Sequence, residues 1–221
     1  MFEYILFDLD GTLTDPKLGI TSSVQYALRA LGIEEPSLDK LEVFIGPPLT
    51  DSFREFYGLD EEQMITAVDK YRERFATQGI FENEIYPGIP QMLADLKAKG
   101  KKLAIASSKP TLFVEQILEH FEIRKYFDDV VGSNMDGTRG RKEEVVEEAL
   151  CRMLPAGMTP AKKRDAVAMV GDRKFDIEGA AAHGITSVGV SFGYAPEGEL
   201  EQAGADYIVN SVQSLYDVLA Q

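Results

Sequence analysis

Short apolar runs rich in β-branched residues recur along the chain: Tyr4 to Phe7, Leu103 to Ala106, Val130-Val131, Ala166 to Val170, Thr186 to Val190 and Tyr207 to Val209. Runs this short predict strands buried on both faces of a sheet. Most are separated by amphipathic patterns at four-residue spacing, such as Phe113, Ile117 and Phe121, or Val145, Ala149 and Met153. These predict helices with one apolar face. Alternation of strand and helix predicts an α/β fold with a doubly wound parallel sheet.

One interval breaks the rhythm. Residues 8–102 separate the first two strands, where an ordinary crossover unit takes about 30 residues in all. The stretch from Pro16 to Ile85 carries helical stripes, with Ile20, Val24, Ala27, Leu28 and Leu31 on one and Met64, Val68, Tyr71 and Phe75 on another. The expected organisation is a core of residues 1–15 and 86–221 with an inserted helical cap of residues 16–85. A cap leaving the sheet there is expected over the carboxyl ends of the strands, where open α/β sheets bind ligands. The Gly11 to Gly19 stretch and Pro87-Gly88 are the expected hinges.

Composition narrows the function. Of 221 residues, 44% are hydrophobic and 27% charged, ordinary for a soluble globular protein. The formal net charge of −14 disfavours nucleic acid and anionic membrane surfaces as partners. The single cysteine, Cys151, has no internal disulfide partner, and its apolar helical surroundings predict a buried thiol. With only Met1-Phe2-Glu3 ahead of the first run and no long apolar segment, neither signal peptide nor membrane span is expected, and a cytoplasmic location is. His120 and His183 are too few and scattered for a histidine metal site, and Glu143, Glu144, Glu147 and Glu148 read as a solvated helix face.

The chemistry concentrates at strand ends. Asp8 and Asp10 follow the first run directly, and residues two apart on extended backbone point to the same side. Like charges so close repel, an arrangement stabilised by a hard cation such as Mg²⁺. The second strand runs into Ser107-Ser108-Lys109, placing hydroxyl and ammonium groups at the same sheet edge. Lys142 precedes a helix expected to begin near Glu143. The strand ending at Val170 leads into Gly171-Asp172-Arg173-Lys174-Phe175-Asp176. If a helical turn begins there, Asp172 and Asp176 share a face, and Gly171 lets backbone pass close.

Taken in order, these four segments resemble the motifs of the haloacid dehalogenase-like phosphohydrolases across the whole chain. The resemblance implies that Asp8 is the nucleophile and that Asp10 is the general acid and base. It implies Mg²⁺ held by Asp8, the Asp10 carbonyl and Asp172, with Asp176 in support, and Ser107 and Lys142 stabilising the phosphoryl group. Lys109 is the rival for the charge assigned to Lys142. Because the dehalogenase and phosphonate-cleaving members lack an acid at the place of Asp10, phosphate-ester chemistry is favoured. Phe44 to Leu49 and Asp136-Gly137-Thr138 resemble the 5′-nucleotidase-like and phosphoglycolate-phosphatase-like branch, although Gly46-Pro47-Pro48 also reads as a turn between helices. Ser108, Lys109 and Gly46 are candidate substrate contacts, and Lys17, Tyr26 and Arg54 are further cap residues of suitable chemistry. The expected activity is hydrolysis of small phosphorylated metabolites by a monomer or homodimer. A mutase resembling β-phosphoglucomutase, a phosphorylatable receiver-like module and an inactive binding module are the alternatives.

Overall fold

The first apolar run, Tyr4–Phe7, is strand β1 of the computed structural model, which describes residues 1–221. It is followed by β2 (Thr14–Asp15), α1 (Lys17–Ala30), α2 (Leu49–Tyr57), α3 (Glu61–Arg74), β3 (Glu84–Ile85), α4 (Ile89–Ala98), β4 (Lys102–Pro110), α5 (Thr111–His120) and β5 (Asp129–Ser133). The chain then forms α6 (Lys142–Met153), α7 (Pro160–Ala166), β6 (Val167–Gly171), α8 (Lys174–Ala182), β7 (Thr186–Val190), α9 (Glu199–Gln202), β8 (Tyr207–Val209) and α10 (Val212–Leu219). Two compact units result: Met1–Thr14 with Ile85–Gln221, and Asp15–Glu84.

In the first unit six parallel strands lie in the order β5-β4-β1-β6-β7-β8. The chain winds outward from β1 in one direction through β4 and β5, then returns to its other side for β6, β7 and β8. This is the doubly wound α/β arrangement, and its winding reverses between β1 and β6, where such sheets bind ligands beyond the carboxyl ends. Alternation along β1 divides the core. Leu6 joins Ala104, Val131, Met169 and the buried faces of α6 and α8 in one cluster. Ile5 and Phe7, equally inaccessible, point to the other face of the sheet.

Three local readings need correction. Tyr207 and Ile208 are 46% and 38% exposed, because β8 is an edge strand paired only with β7 and is not covered on both faces. Ala166 ends α7 and is not part of β6. Cys151 is exposed: the buried stripe of α6 is Lys142, Val145, Val146, Ala149 and Leu150, and the next residue turns about 100° away from it toward solvent.

The second unit is helical. Ile20, Val24, Ala27 and Leu28 of α1 and Met64, Ala67 and Tyr71 of α3 are buried, the spacing of an apolar stripe on each helix. Asp60 and Gln63 exchange hydrogen bonds at the start of α3, satisfying backbone donors that a helix leaves free there. Phe44 and Phe53 meet edge-on at 4.9 Å, and Arg74 grips Glu82 through two bonds of 2.8 and 2.9 Å. Gly46-Pro47-Pro48 is the turn leading into α2, with Pro48 at the N-cap. Pro87-Gly88 introduces α4, whose N-cap Gly88 adopts φ +91°.

Candidate active site

Parallel register explains why residues far apart in sequence meet. Phe7 pairs with Ile105 on one side and Val170 on the other, so the chain leaves β1 at Asp8 beside the Ala106-Ser107 stretch of β4 and the end of β6. Beyond β1 the backbone folds into a tight loop, in which the Leu9 carbonyl accepts hydrogen bonds from the N–H groups of Thr12, Leu13 and Thr14. Gly11 makes the loop possible. Its φ is +80°, and a Cβ there would stand 2.1 Å from Asp172 Oδ2.

The acids of this first unit form one cluster. Carboxylate oxygens of Asp8, Asp172 and Asp176 lie within 4.8 Å of one another, all three residues buried. Lys142 stands among them. Its Nζ is 3.0 Å from Asp8 Oδ1, 2.9 Å from Asp176 Oδ1 and 3.0 Å from the carbonyl oxygen of Ala106. The contact with Asp176 is an ion pair without directed hydrogen-bond geometry. Burial alone would lower the lysine's pKa, but the charges of Asp176 and Asp8 outweigh it, and the ammonium is held firmly protonated. Burial, then the charges of Asp176 and Asp8, push the Asp172 carboxyl well up, against a 2.7 Å hydrogen bond from the Tyr194 N–H. Asp176 is also raised, chiefly by burial.

Asp172 lies ahead of α8, separated from it by extended Arg173, so Asp172 and Asp176 do not share a helix face. They converge because Asp176, in the first turn of α8, reaches back to accept the Arg173 N–H at 3.0 Å. Gly171 permits this, since a Cβ there would stand 2.0 Å from Asp176 Cγ. Asp10 is held separately. Its Oδ2 pairs with Lys109 Nζ, while Oδ1 is buried without a hydrogen-bond partner. Ser107 is buried, and its Oγ accepts the Lys109 N–H at 3.3 Å. The two lysines are therefore not interchangeable: Lys142 faces Asp8 and Asp176, and Lys109 faces Asp10. Ser108 is half-buried within β4.

Gly46 belongs to the second unit, in the turn before α2. Lys17, Tyr26 and Arg54 have partners within that unit: Lys17 with Asp39 and Glu42, Tyr26 with Glu73, and Arg54 with Asp51. Two site features gave no sequence signal. The Tyr194 donor is a main-chain group, indifferent to residue type. The pairing of Arg173 Nε with Glu199 at 2.8 Å, with the Lys174 N–H donating to the same carboxylate, joins positions 26 apart on different elements.

The donors fit a hard divalent cation. All are oxygens, and three are carboxylates of buried residues already within 4.8 Å of one another. Asp8, Asp172 and Asp176 have the single ammonium of Lys142 among them, and a divalent ion would offset the surplus of carboxylate charge there.

A doubly wound sheet with clustered acids and a buried lysine at its switch point defines a class of α/β enzymes. The model of the haloacid dehalogenase-like hydrolases matches residues 5–190, and the chain belongs to that family. A 5′-nucleotidase of Pseudomonas aeruginosa is 43% identical over 97% of this chain and 94% of its own length. The tyrosine-protein kinase PtkA of Mycobacterium tuberculosis is 40% identical over 87% of this chain, which spans 63% of that longer protein. The crystal structure of a predicted phosphatase from Clostridium acetobutylicum superposes with a TM-score of 0.93 at 45% identity, covering 100% of this chain and 99% of that one.

Proposed function

We propose that this chain is a Mg²⁺-dependent phosphatase of small phosphomonoesters, of the nucleoside 5′-monophosphate or phosphoglycolate type. The observation that carries the reading is the buried set of Asp8, Asp172 and Asp176 with Lys142 among them. An Asp8 carboxylate oxygen attacks phosphorus, the ester P–O bond breaks, and the protonated Asp10 carboxyl gives its proton to the departing oxygen, leaving an aspartyl-phosphate. Asp10, now a carboxylate, takes a proton from water as that water attacks the same phosphorus. The bond to Asp8 breaks and inorganic phosphate leaves.

Lys142 orients Asp8 and, with the Ser107 hydroxyl, balances charge on the equatorial oxygens. Asp8, the Asp10 carbonyl and Asp172 would hold Mg²⁺, with Asp176 in support. The cation would supply electrostatic stabilisation of the transferring phosphoryl group. Substrate choice is assigned to the inserted helical unit, and the location to the cytoplasm.

The match to PtkA supports a second reading, in which an acceptor hydroxyl replaces water in the second step, as it would in a mutase. Turnover of nucleoside monophosphates, phosphoglycolate and sugar phosphates, followed through both inorganic phosphate and phosphorylated acceptors, separates the two. Hydrolysis abolished by EDTA and by Asp8→Asn is expected. Metal-independent turnover, or full activity in Asp8→Asn, overturns the assignment.

A further inference from the structure

Lys109 and Asp10 are 99 positions apart, yet their side chains pair almost out of solvent, at 7% and 12% exposure. The pairing is one-sided: Lys109 Nζ takes Asp10 Oδ2, and Oδ1 is left buried with no hydrogen bond. Lys109 reaches this position through an irregularity in β4. The register against β5 shifts between Ala106 and Pro110, and the Lys109 N–H turns back onto Ser107 Oγ. Such irregularities re-aim side chains beside functional sites. The lysine within the acid cluster, Lys142, is engaged by Asp8 and Asp176, so charge balance around Asp8 does not account for Lys109.

We propose that Lys109 is a positioning residue that decides which oxygen of Asp10 handles the proton, an inference that rests on the phosphatase reading above. An ammonium group only donates hydrogen bonds. With Oδ2 accepting from Lys109, a proton on the Asp10 carboxyl must sit on Oδ1, the oxygen without a partner. The ion pair also restrains rotation of the carboxyl group, keeping Oδ1 aimed in one direction between the two half-reactions. Lys109 itself exchanges no proton in this scheme.

The test uses the whole chain with Mg²⁺ and a series of aryl phosphates graded from p-nitrophenyl to p-methoxyphenyl phosphate. A poor leaving group needs the proton from Asp10 more than a good one does, so a misaimed Asp10 steepens the dependence of kcat/KM on leaving-group basicity. Lys109→Met is expected to lose at least about tenfold more kcat/KM on the methoxy ester than on the nitro ester, a fraction of what general acids contribute. On the nitro ester kcat and KM should fall together, because delayed water activation lets the phosphoenzyme accumulate. Lys109→Arg, which keeps a donor-only cation, should restore the wild-type slope, and in an Asp10→Asn background Lys109→Met should not steepen the slope further. Equal losses across the series, or a rise in KM with an unchanged slope, overturn the positioning role and indicate a structural or substrate contact. If the wild-type chain hydrolyses none of these esters, the phosphatase reading falls and takes this inference with it. Wild-type turnover with an unchanged slope in Lys109→Met overturns this inference alone.

Discussion

The ammonium of Lys142 lies 3.0 Å from Asp8 Oδ1, with the two side chains only 4% and 6% exposed. In the proposed mechanism a charge so placed orients the Asp8 carboxylate and offsets charge on the transferring phosphoryl group. Replacing it with Met should reduce kcat/KM by roughly 10²–10³, the cost of removing one preorganised electrostatic donor. Steady-state kinetics checks this, and a loss below about threefold would contradict the role assigned to Lys142.

Asp172 is crowded by like charge from Asp8 and Asp176. Adding Mg²⁺ should therefore raise the melting temperature, with roughly 2.7 kcal/mol of added stability at a hundred times Kd. Asp172→Asn keeps an acceptor for the Tyr194 N–H and removes one of the mutually repelling charges. In EDTA the variant should melt no lower than the parent, and its Mg²⁺-induced shift should vanish. Retention of the full shift, read by calorimetry, would contradict a part for Asp172 in holding the ion.

Gly11→Ala meets two obstacles at once, a φ of +80° and Asp172 Oδ2 at 2.1 Å. A loss of about 1–3 kcal/mol is expected from the strained backbone alone, together with weakened Mg²⁺ binding as Asp172 is displaced. Urea midpoints measured with and without Mg²⁺ separate the two effects. An alanine variant with parental stability and Mg²⁺ affinity would contradict the close packing of this loop.

Away from the site, Asp128 accepts hydrogen bonds from Lys97 Nζ at 2.7 Å and the Leu103 N–H at 2.9 Å, and it also meets Lys102. Burial pushes its carboxyl up, but these donors outweigh burial and hold it below the usual carboxylate value of 3.8. A depressed folded pKa means that the carboxylate's contribution is complete above the unfolded value and is lost as pH falls through the folded one. Asp128→Ala should cost about 1–3 kcal/mol at pH 7. The gap from the parent in urea melts should narrow as pH drops below the carboxylate range, and a pH-independent gap would assign the loss to packing.

The strand positions were readable because burial on two faces leaves an uninterrupted apolar run, as at Tyr4–Phe7 and Val167–Gly171. Exposure at Tyr207 and Ile208 was not, since an edge strand has the same local composition as a central one and differs only in having a single neighbour. The exposure of Cys151 has a related cause: apolar neighbours in sequence do not fix which side of α6 a residue faces.

The chain's own order of residues was enough to determine a parallel α/β sheet with a helical insertion and an acidic pair at the end of its first strand, because hydrophobic periodicity and strand-end chemistry are local properties. Tertiary structure alone decided the pairings. It set Lys142 against Asp8 and Asp176, gave Lys109 to Asp10, and turned the Tyr194 N–H onto Asp172. Each contact joins segments brought together by sheet register and by an irregular β4, and the strength of a charge pair depends on distance and burial, which no single stretch of sequence contains.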